Sequence, residues 1–224
     1  MRRMNAVDTL VRSVSDSPVL PRVVERLQQK LADEAKRRRE FYDWITPDVK
    51  AEFINGEIVM QSPARNIHLI VGGRIYALLN YFVDVNRLGE VRHEKALCVF
   101  SRNDYEPDVV FFGREKAATF DEETLQFPVP DLAVEVLSRS SEQRDRGVKF
   151  DDFAAEGVAE YWIVDPSAKV VQQYRSDGDG GYDLNATLKT GTIRSWAVEG
   201  CAADVAGFFD RDVHLAELRR IMSA

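Results

Sequence analysis

The sequence predicts an α/β (or α+β) fold in which a mixed central β-sheet is flanked by helices. Two runs at 109–112 and 131–137 are apolar on both of their alternating faces, which is typical of central strands covered on both sides. An Asn55-Gly56 pair between two short strand-like segments predicts a hairpin, because both residues accept the positive φ of a type I′ turn. Apolar residues at helical spacing come before, between and after these strands, so helices and strands interleave along the chain.

Three parts are predicted along the chain: an N-terminal helical extension over residues 1–48, a main domain over 49–212 and a C-terminal helix over 213–224. Residues 1–17 show no clear period and predict a loose arm, whereas Val24, Leu27 and Leu31 lie near helical spacing in a helix over 18–44. After the hairpin at 51–60, the pattern predicts helices at 66–83 and 140–156, and strands at 89–100, 109–112, 131–137, 160–164, 170–175 and 181–188.

Composition and charge limit the functions open to this chain. The net charge of −7 argues against a surface coated in positive charge for non-specific nucleic-acid binding, but it leaves room for a local basic groove. No apolar run approaches the ~20 residues of a membrane span, and no secretory signal pattern is present at the N-terminus. Cys98 and Cys201 are isolated and show no metal-ligand spacing. We therefore expect a cytoplasmic protein with no membrane partner.

Two carboxylates occupy unexpected places in the apolar strands. Glu135 lies in the middle of the run at 131–137, and Asp108 opens the run at 109–112 directly after a proline. Buried carboxylates require a partner, and Mg²⁺ binds oxygen ligands from one or two carboxylates together with substrate phosphate. Lys149, at the start of the following helix, is a cation suited to the charge that develops on a phosphate.

Each of these residues also has a plain structural interpretation. Glu135 is also compatible with a strand edge or with an ion pair to Arg139 or Arg144, and Lys149 with a solvent-facing position on its helix. The basic run at 36–39 is most often a solvated helix face, although it also suits phosphate contacts or a dimer arm. If the chain binds nucleic acid, we expect a groove lined by five arginines: Arg37, Arg38, Arg39, Arg65 and Arg74.

Four segments resemble the successive motifs of the Uma-two family, a bacterial family classed as restriction endonucleases within the PD-(D/E)XK nuclease superfamily. They are YEPDVVF at 105–111, PDLAVEVLS at 130–138, RDRGVK at 144–149 and GVAEYWIVDP at 157–166. The resemblance covers roughly residues 53–209, and it does not explain the segment before about residue 45. It implies a restriction-endonuclease-like mixed sheet and phosphodiester hydrolysis that depends on Mg²⁺, with Mn²⁺ as an alternative.

The resemblance also implies a set of site residues. Asp108 matches the family's Pro-Asp aspartate, Glu135 its strand glutamate, Glu57 its hairpin glutamate and His68 its helix histidine. On this basis Asp108, Glu135 and Glu57 are the expected metal ligands. Leu137 stands where the wider superfamily has a lysine two residues after the glutamate. The family supplies that cation from the next helix, which here offers Lys149 as the residue that positions the nucleophile.

The expected function is therefore a metal-dependent endonuclease that acts on DNA, with a homodimer as an open expectation. One alternative is a catalytically silent nuclease-like domain that binds nucleic acid or a protein partner, because function depends on the site and not on the fold. The other is a hydrolase of small phosphate esters, which predicts a closed pocket in place of an open groove.

Overall fold

The structure is a computed structural model that describes residues 6–223. Within that range the chain forms eight helices: α1 (Ala6–Ser15), α2 (Leu20–Trp44), α3 (Asn66–Asn86), α4 (Arg114–Ala117), α5 (Glu142–Asp145), α6 (Val148–Ala155), α7 (Ala206–Phe209) and α8 (Arg211–Met222). In the same range it forms thirteen strands: β1 (Ala51–Ile54), β2 (Glu57–Met60), β3 (Gly89–His93), β4 (Leu97–Val99), β5 (Asp104–Tyr105), β6 (Val109–Gly113), β7 (Gln126–Phe127), β8 (Leu132–Val136), β9 (Glu160–Asp165), β10 (Val170–Ser176), β11 (Tyr182–Leu188), β12 (Thr192–Arg194) and β13 (Ala202–Asp204).

The strands form two main sheets and a small ribbon. The larger sheet has the order β11-β10-β9-β8-β6-β3, and it is mixed because β8 and β9 run parallel while the other neighbours are antiparallel. The second sheet has the order β2-β1-β5-β4-β7, and β12 pairs with β13. The predicted α/β class with a mixed sheet and flanking helices is confirmed.

The larger sheet is buried on both faces, as the unbroken apolar runs predict. Leu132, Val134 and Val136 of β8 pack with the apolar stripe of α3 on one face. Ala133 and Leu137 point to the opposite face, where they join a cluster that includes residues of the second sheet and of α6. The second cluster therefore covers the face of β8 that also carries Glu135.

The N-terminal segment differs from the loose arm expected for residues 1–17. Residues 6–15 form helix α1, and the first five residues lie outside the described part of the chain. Val7, Leu10, Val11 and Val14 lie at helical spacing, so the helical pattern was present in the sequence and was missed. Helix α2 agrees with the helix predicted over 18–44.

The helix predicted over 140–156 is divided into α5 and α6 at Gly147. A Cβ atom at this position would lie 2.7 Å from the carbonyl oxygen of Gln143, so the chain approaches itself too closely for any side chain. The break starts α6 at Val148, and it places Lys149 in the first turn of this helix. Among the described residues, no helix is long and apolar enough to cross a membrane.

Arg38 attaches α2 to the main body of the protein. Its guanidinium donates to both carboxylate oxygens of buried Asp104, at 2.8 and 2.5 Å. It also donates to the carbonyl oxygens of Phe100, Ser101 and Asn103. Such a bidentate pair suits the planar guanidinium, and removal of one partner would leave a buried charge without compensation.

We therefore predict that Arg38→Ala lowers the free energy of unfolding by on the order of 3 kcal/mol, because Asp104 remains buried without its cation. Arg39→Ala is the matched control, since Arg39 is exposed on the same helix and should change stability by less than about 0.5 kcal/mol. Urea unfolding followed by circular dichroism measures both variants. Equal losses from the two substitutions would contradict this role of Arg38.

Candidate functional site

The site is built where β6 and β8 meet. Val109 of β6 pairs with Val134 of β8 in an antiparallel register, so one further step places Asp108 opposite Glu135. Residues that face each other across antiparallel strands point to the same side, with Cβ atoms about 4.5–5.5 Å apart. The register therefore brings together the two carboxylates that the sequence singles out.

Asp108 is held by two different donors. One carboxylate oxygen accepts a 2.7 Å hydrogen bond from the backbone N–H of Val136, and the other lies 3.1 Å from Nε2 of His68 in the first turn of α3. Burial alone would raise the pKa of Asp108, but the hydrogen bond and charge of His68 together with the N–H of Val136 lower it. Asp108 is thus kept ionised in a buried position.

Lys149 projects from α6 into a group of three carboxylates. Its Nζ lies 2.7 Å from Oε1 of Glu135, 2.7 Å from Oε1 of Glu52 and 3.6 Å from Oδ1 of Asp145. The lysine side chain is only 3% exposed, and the three carboxylates are equally enclosed. We call Lys149, Glu52, Glu135 and Asp145 the lysine cluster.

The charged groups of the lysine cluster shift one another's pKa values. Burial would lower the pKa of Lys149, but the charges of Glu135 and Glu52 outweigh it and raise this pKa well above its usual value. Burial raises the pKa of Glu135 well above its usual value, against the lowering effect of Lys149. The lysine therefore stays charged, and three buried carboxyl groups surround this one cation.

Glu52 is a member of the site that the sequence analysis missed, and Glu57 does not join it. Glu57 lies at the turn end of the edge strand β2, with a side chain that is 77% exposed and 3.8 Å from Arg37. Glu52 lies on β1, between β2 and β5, and is fully buried. Besides Lys149, Glu52 contacts the side chain of Gln61 and the backbone N–H of Glu106. The signal for Glu52 was a carboxylate within an otherwise apolar strand.

A cleft of about 680 Å³ opens over these residues. Asp108, Glu135 and Lys149 line it, and exposed residues such as Arg65 and Arg139 form its rim, so it is open to solvent. Its other basic residues are Lys50 and Arg144, and the Nε of Arg144 is buried without a hydrogen-bond partner.

The five arginines expected to line a groove are mostly elsewhere. Arg65 lines the cleft, whereas Arg37, Arg38, Arg39 and Arg74 do not. Arg37 lies near Glu57, and Arg38 is bound to Asp104. Helix α2 therefore presents its basic run to the protein body and to solvent, and the positive charge of the cleft comes from residues next to β1, α3 and α5.

Glu106 adds a carboxyl group to the wall of the cleft. Burial raises the pKa of Glu106 to about 7, and its Oε2 has no hydrogen-bond partner. The sequence signal was again a carboxylate beside an apolar strand, two residues before Asp108. A carboxyl group with this pKa gains and loses a proton near neutral pH.

The donor set fits a hard divalent cation. Asp108 and Glu135 supply carboxylate oxygens on adjacent strands, and Mg²⁺ and Mn²⁺ prefer such oxygens. Within residues 6–223, ligand atoms of His68, Glu94 and Asp108 also lie within 4.8 Å of one another. Asp108 therefore belongs to two groups of ligands, one with Glu135 and one with His68 and Glu94.

A mixed sheet thus presents two carboxylates on adjacent strands, and a lysine of α6 contacts one of them. The family model of Uma2, described as "Putative restriction endonuclease", matches residues 38–206. The match covers well over half of the chain, and this chain belongs to the Uma2 family. The resemblance found from the sequence motifs is confirmed.

A solved structure shares the fold. It is a crystal structure of "a putative nuclease belonging to DUF820" from Anabaena variabilis ATCC 29413, similar with a TM-score of 0.65 and 17% sequence identity. The similarity covers 76% of this chain and 96% of that chain. No curated protein matches this chain.

The contact between His68 and Asp108 predicts that the pKa of His68 is raised above its usual value. Burial would lower the pKa of His68, but Asp108 raises it above 6.5, whereas burial lowers the pKa of His214. The His68–Asp108 contact therefore stabilises the fold below pH 6.5, and this contribution is lost as pH rises through the folded pKa of His68.

NMR titration in metal-free buffer measures this prediction, with His68→Gln to assign the resonance. We expect the pKa of His68 to lie above 6.5 and to fall in Asp108→Asn, while His214 titrates below 6.5 in both proteins. A pKa of His68 that is unaffected by Asp108→Asn would contradict the contact.

Proposed function

We propose that this protein is a divalent-metal-dependent endonuclease that hydrolyses phosphodiester bonds of DNA. One observation carries the proposal: Asp108 lies opposite Glu135 at the bottom of an open, basic-rimmed cleft, with Lys149 bonded to Glu135. The family and the neighbour described as a nuclease support the same reaction class. Mg²⁺ or Mn²⁺ is the proposed cofactor.

Asp108 and Glu135 are the proposed metal ligands. A bound divalent ion would lower the pKa of a coordinated water and neutralise charge on the phosphate. The hydrogen bonds from His68 and the N–H of Val136 hold Asp108 in its orientation. Lys149 holds Glu135 in the same way, and it is a positioning residue because it is enclosed by carboxylates.

Glu52 is proposed as the second positioning residue, in place of Glu57. Its Oε1 contacts Lys149 at 2.7 Å and accepts a hydrogen bond from the N–H of Glu106. It therefore holds the ammonium group of Lys149 and joins β1 to the segment that leads to Asp108. Outer partners of ligand residues typically contribute 10- to 100-fold to affinity or activity.

The open cleft favours a polymer as the substrate. Arg65 and Arg139 are exposed on the rim, and Arg144 also lines the cleft. Guanidinium groups bind phosphate with paired hydrogen bonds, and successive phosphates of a strand need several such contacts. The exposed rim favours this substrate over the small phosphate esters that a closed pocket would suit.

A pair of substitutions in the hairpin tests the site. We predict that Glu52→Gln lowers metal-dependent cleavage of plasmid DNA by about 10- to 100-fold, because Lys149 and Glu135 lose their fixed positions. Glu57→Gln is the matched control and should cleave at the wild-type rate, since Glu57 is exposed at the turn. Cleavage is measured with Mg²⁺ or Mn²⁺, and EDTA should abolish it.

Glu135→Gln completes the test because it removes a proposed ligand. Activity that persists in Glu135→Gln, or an equal loss in Glu52→Gln and Glu57→Gln, would contradict the assignment of the site. An absence of cleavage by the wild-type protein on double-stranded DNA, single-stranded DNA and RNA would favour the second candidate. That candidate is a silent member of the family, which uses the same basic cleft to bind nucleic acid.

A further inference from the structure

Two lysines approach the carboxylates of the site, and they differ in their surroundings. Lys149 is enclosed by three carboxylates of the lysine cluster. Lys50, just before β1, lines the cleft and keeps 23% of its side chain exposed. Within residues 6–223, its Nζ forms one ion pair, at 2.8 Å to Oε2 of Glu94. Lys50 is therefore the lysine whose charge remains accessible to a molecule in the cleft.

Lys50 contacts a group of side chains that could bind a metal ion. Glu94, to which it is bonded, is one of three residues with ligand atoms within 4.8 Å of one another, together with His68 and Asp108. Two-metal phosphoryl-transfer sites place their ions about 3.5–4 Å apart, so that they stabilise both the attacking and the leaving oxygen. Asp108 lies between two groups of potential ligands, one with Glu135 and one with Glu94. This is the position expected of a carboxylate that binds two cations at once.

Electrostatics keep Lys50 charged in this position. Burial would lower the pKa of Lys50, but the hydrogen bond to Glu94 and the charges of Asp108 and Glu135 outweigh it and raise the pKa. An ammonium group is then present throughout the neutral range. It is a compact positive charge with three donors, which suits both a carboxylate and a phosphate oxygen.

We infer that Lys50 takes the place of a second metal ion: its ammonium group, held by Glu94 beside Asp108, contacts the substrate phosphate, and the site binds one divalent ion. This inference rests on the proposed function and assigns Lys50 a direct contact with substrate. The group donates hydrogen bonds to a non-bridging phosphate oxygen and transfers no proton. A structural salt bridge between Lys50 and Glu94 would make the same contact but would not limit the number of metal ions.

Metal stoichiometry separates these two roles. Mn²⁺ binding to the full chain, followed by electron paramagnetic resonance and calorimetry, should give one ion per wild-type chain. Lys50→Met should bind a second ion, because Glu94, His68 and Asp108 are then free to hold it. The double variant Lys50→Met with Glu94→Gln should return to one ion. Lys95→Met is the matched control and should keep one ion, since Lys95 is exposed and bonds to the carbonyl oxygen of Pro47.

Cleavage rates test the contact with substrate. At saturating Mg²⁺ we expect Lys50→Met to lower kcat by about two orders of magnitude, as loss of one charge-stabilising donor does, while Lys50→Arg retains more activity and Lys95→Met retains all of it. Should Lys50→Met fail to fold, Glu94→Gln replaces it, because this variant leaves Lys50 without its anchor. It should bind one Mn²⁺ and lower kcat by about tenfold.

Three outcomes would overturn the inference. These are two ions on the wild-type chain, one ion on folded Lys50→Met, and unchanged cleavage by either Lys50→Met or Glu94→Gln. If the wild-type chain binds one ion and cleaves DNA, and Lys50→Met does the same, this inference is wrong and the proposed function still stands. A wild-type chain that neither binds Mn²⁺ nor cleaves removes the proposed function and the inference with it.

Discussion

The burial of Lys149 among three carboxylates is the interaction on which the rest of the structure depends. Glu52 comes from the second sheet, Glu135 from the larger sheet and Lys149 from α6, so one ammonium group joins three parts of the fold. Breaking a buried ion pair by removing one partner typically costs about 3–5 kcal/mol, because the remaining charge is left without compensation. The position of Glu135 is thus determined by electrostatics as well as by its strand.

The same cluster explains why the site favours a cation. Three carboxyl groups surround the single charge of Lys149, and Asp108 adds a fourth that is hydrogen-bonded to His68 and to the backbone N–H of Val136. Negative charge therefore accumulates at the bottom of a cleft whose rim is positive. Under the proposed function, this polarity would attract a divalent ion to the bottom and phosphate groups to the rim, although the chain as a whole carries a charge of −7.

Local patterns in the sequence were sufficient to predict the central strands. They were not sufficient to show which glutamate of the hairpin joins the site. Glu135 was identified because it interrupts a long apolar run, and Asp108 because of its place before the neighbouring strand. Glu52 carries the same signal within only four strand residues, and choosing it over Glu57 requires the knowledge that β1 is internal and β2 is an edge strand. Strand order is a long-range property. The break at Gly147 depends in the same way on a close approach that helical spacing does not reveal.

The most direct test of the account is the location of Mn²⁺ by anomalous X-ray scattering in crystals grown with this ion. We predict a peak coordinated by carboxylate oxygens of Asp108 and Glu135, on the side that faces the cleft, and its loss in Glu135→Gln crystals. A peak bound only by exposed carboxylates outside the cleft, or the absence of any peak beside Asp108 at saturating Mn²⁺, would contradict the account.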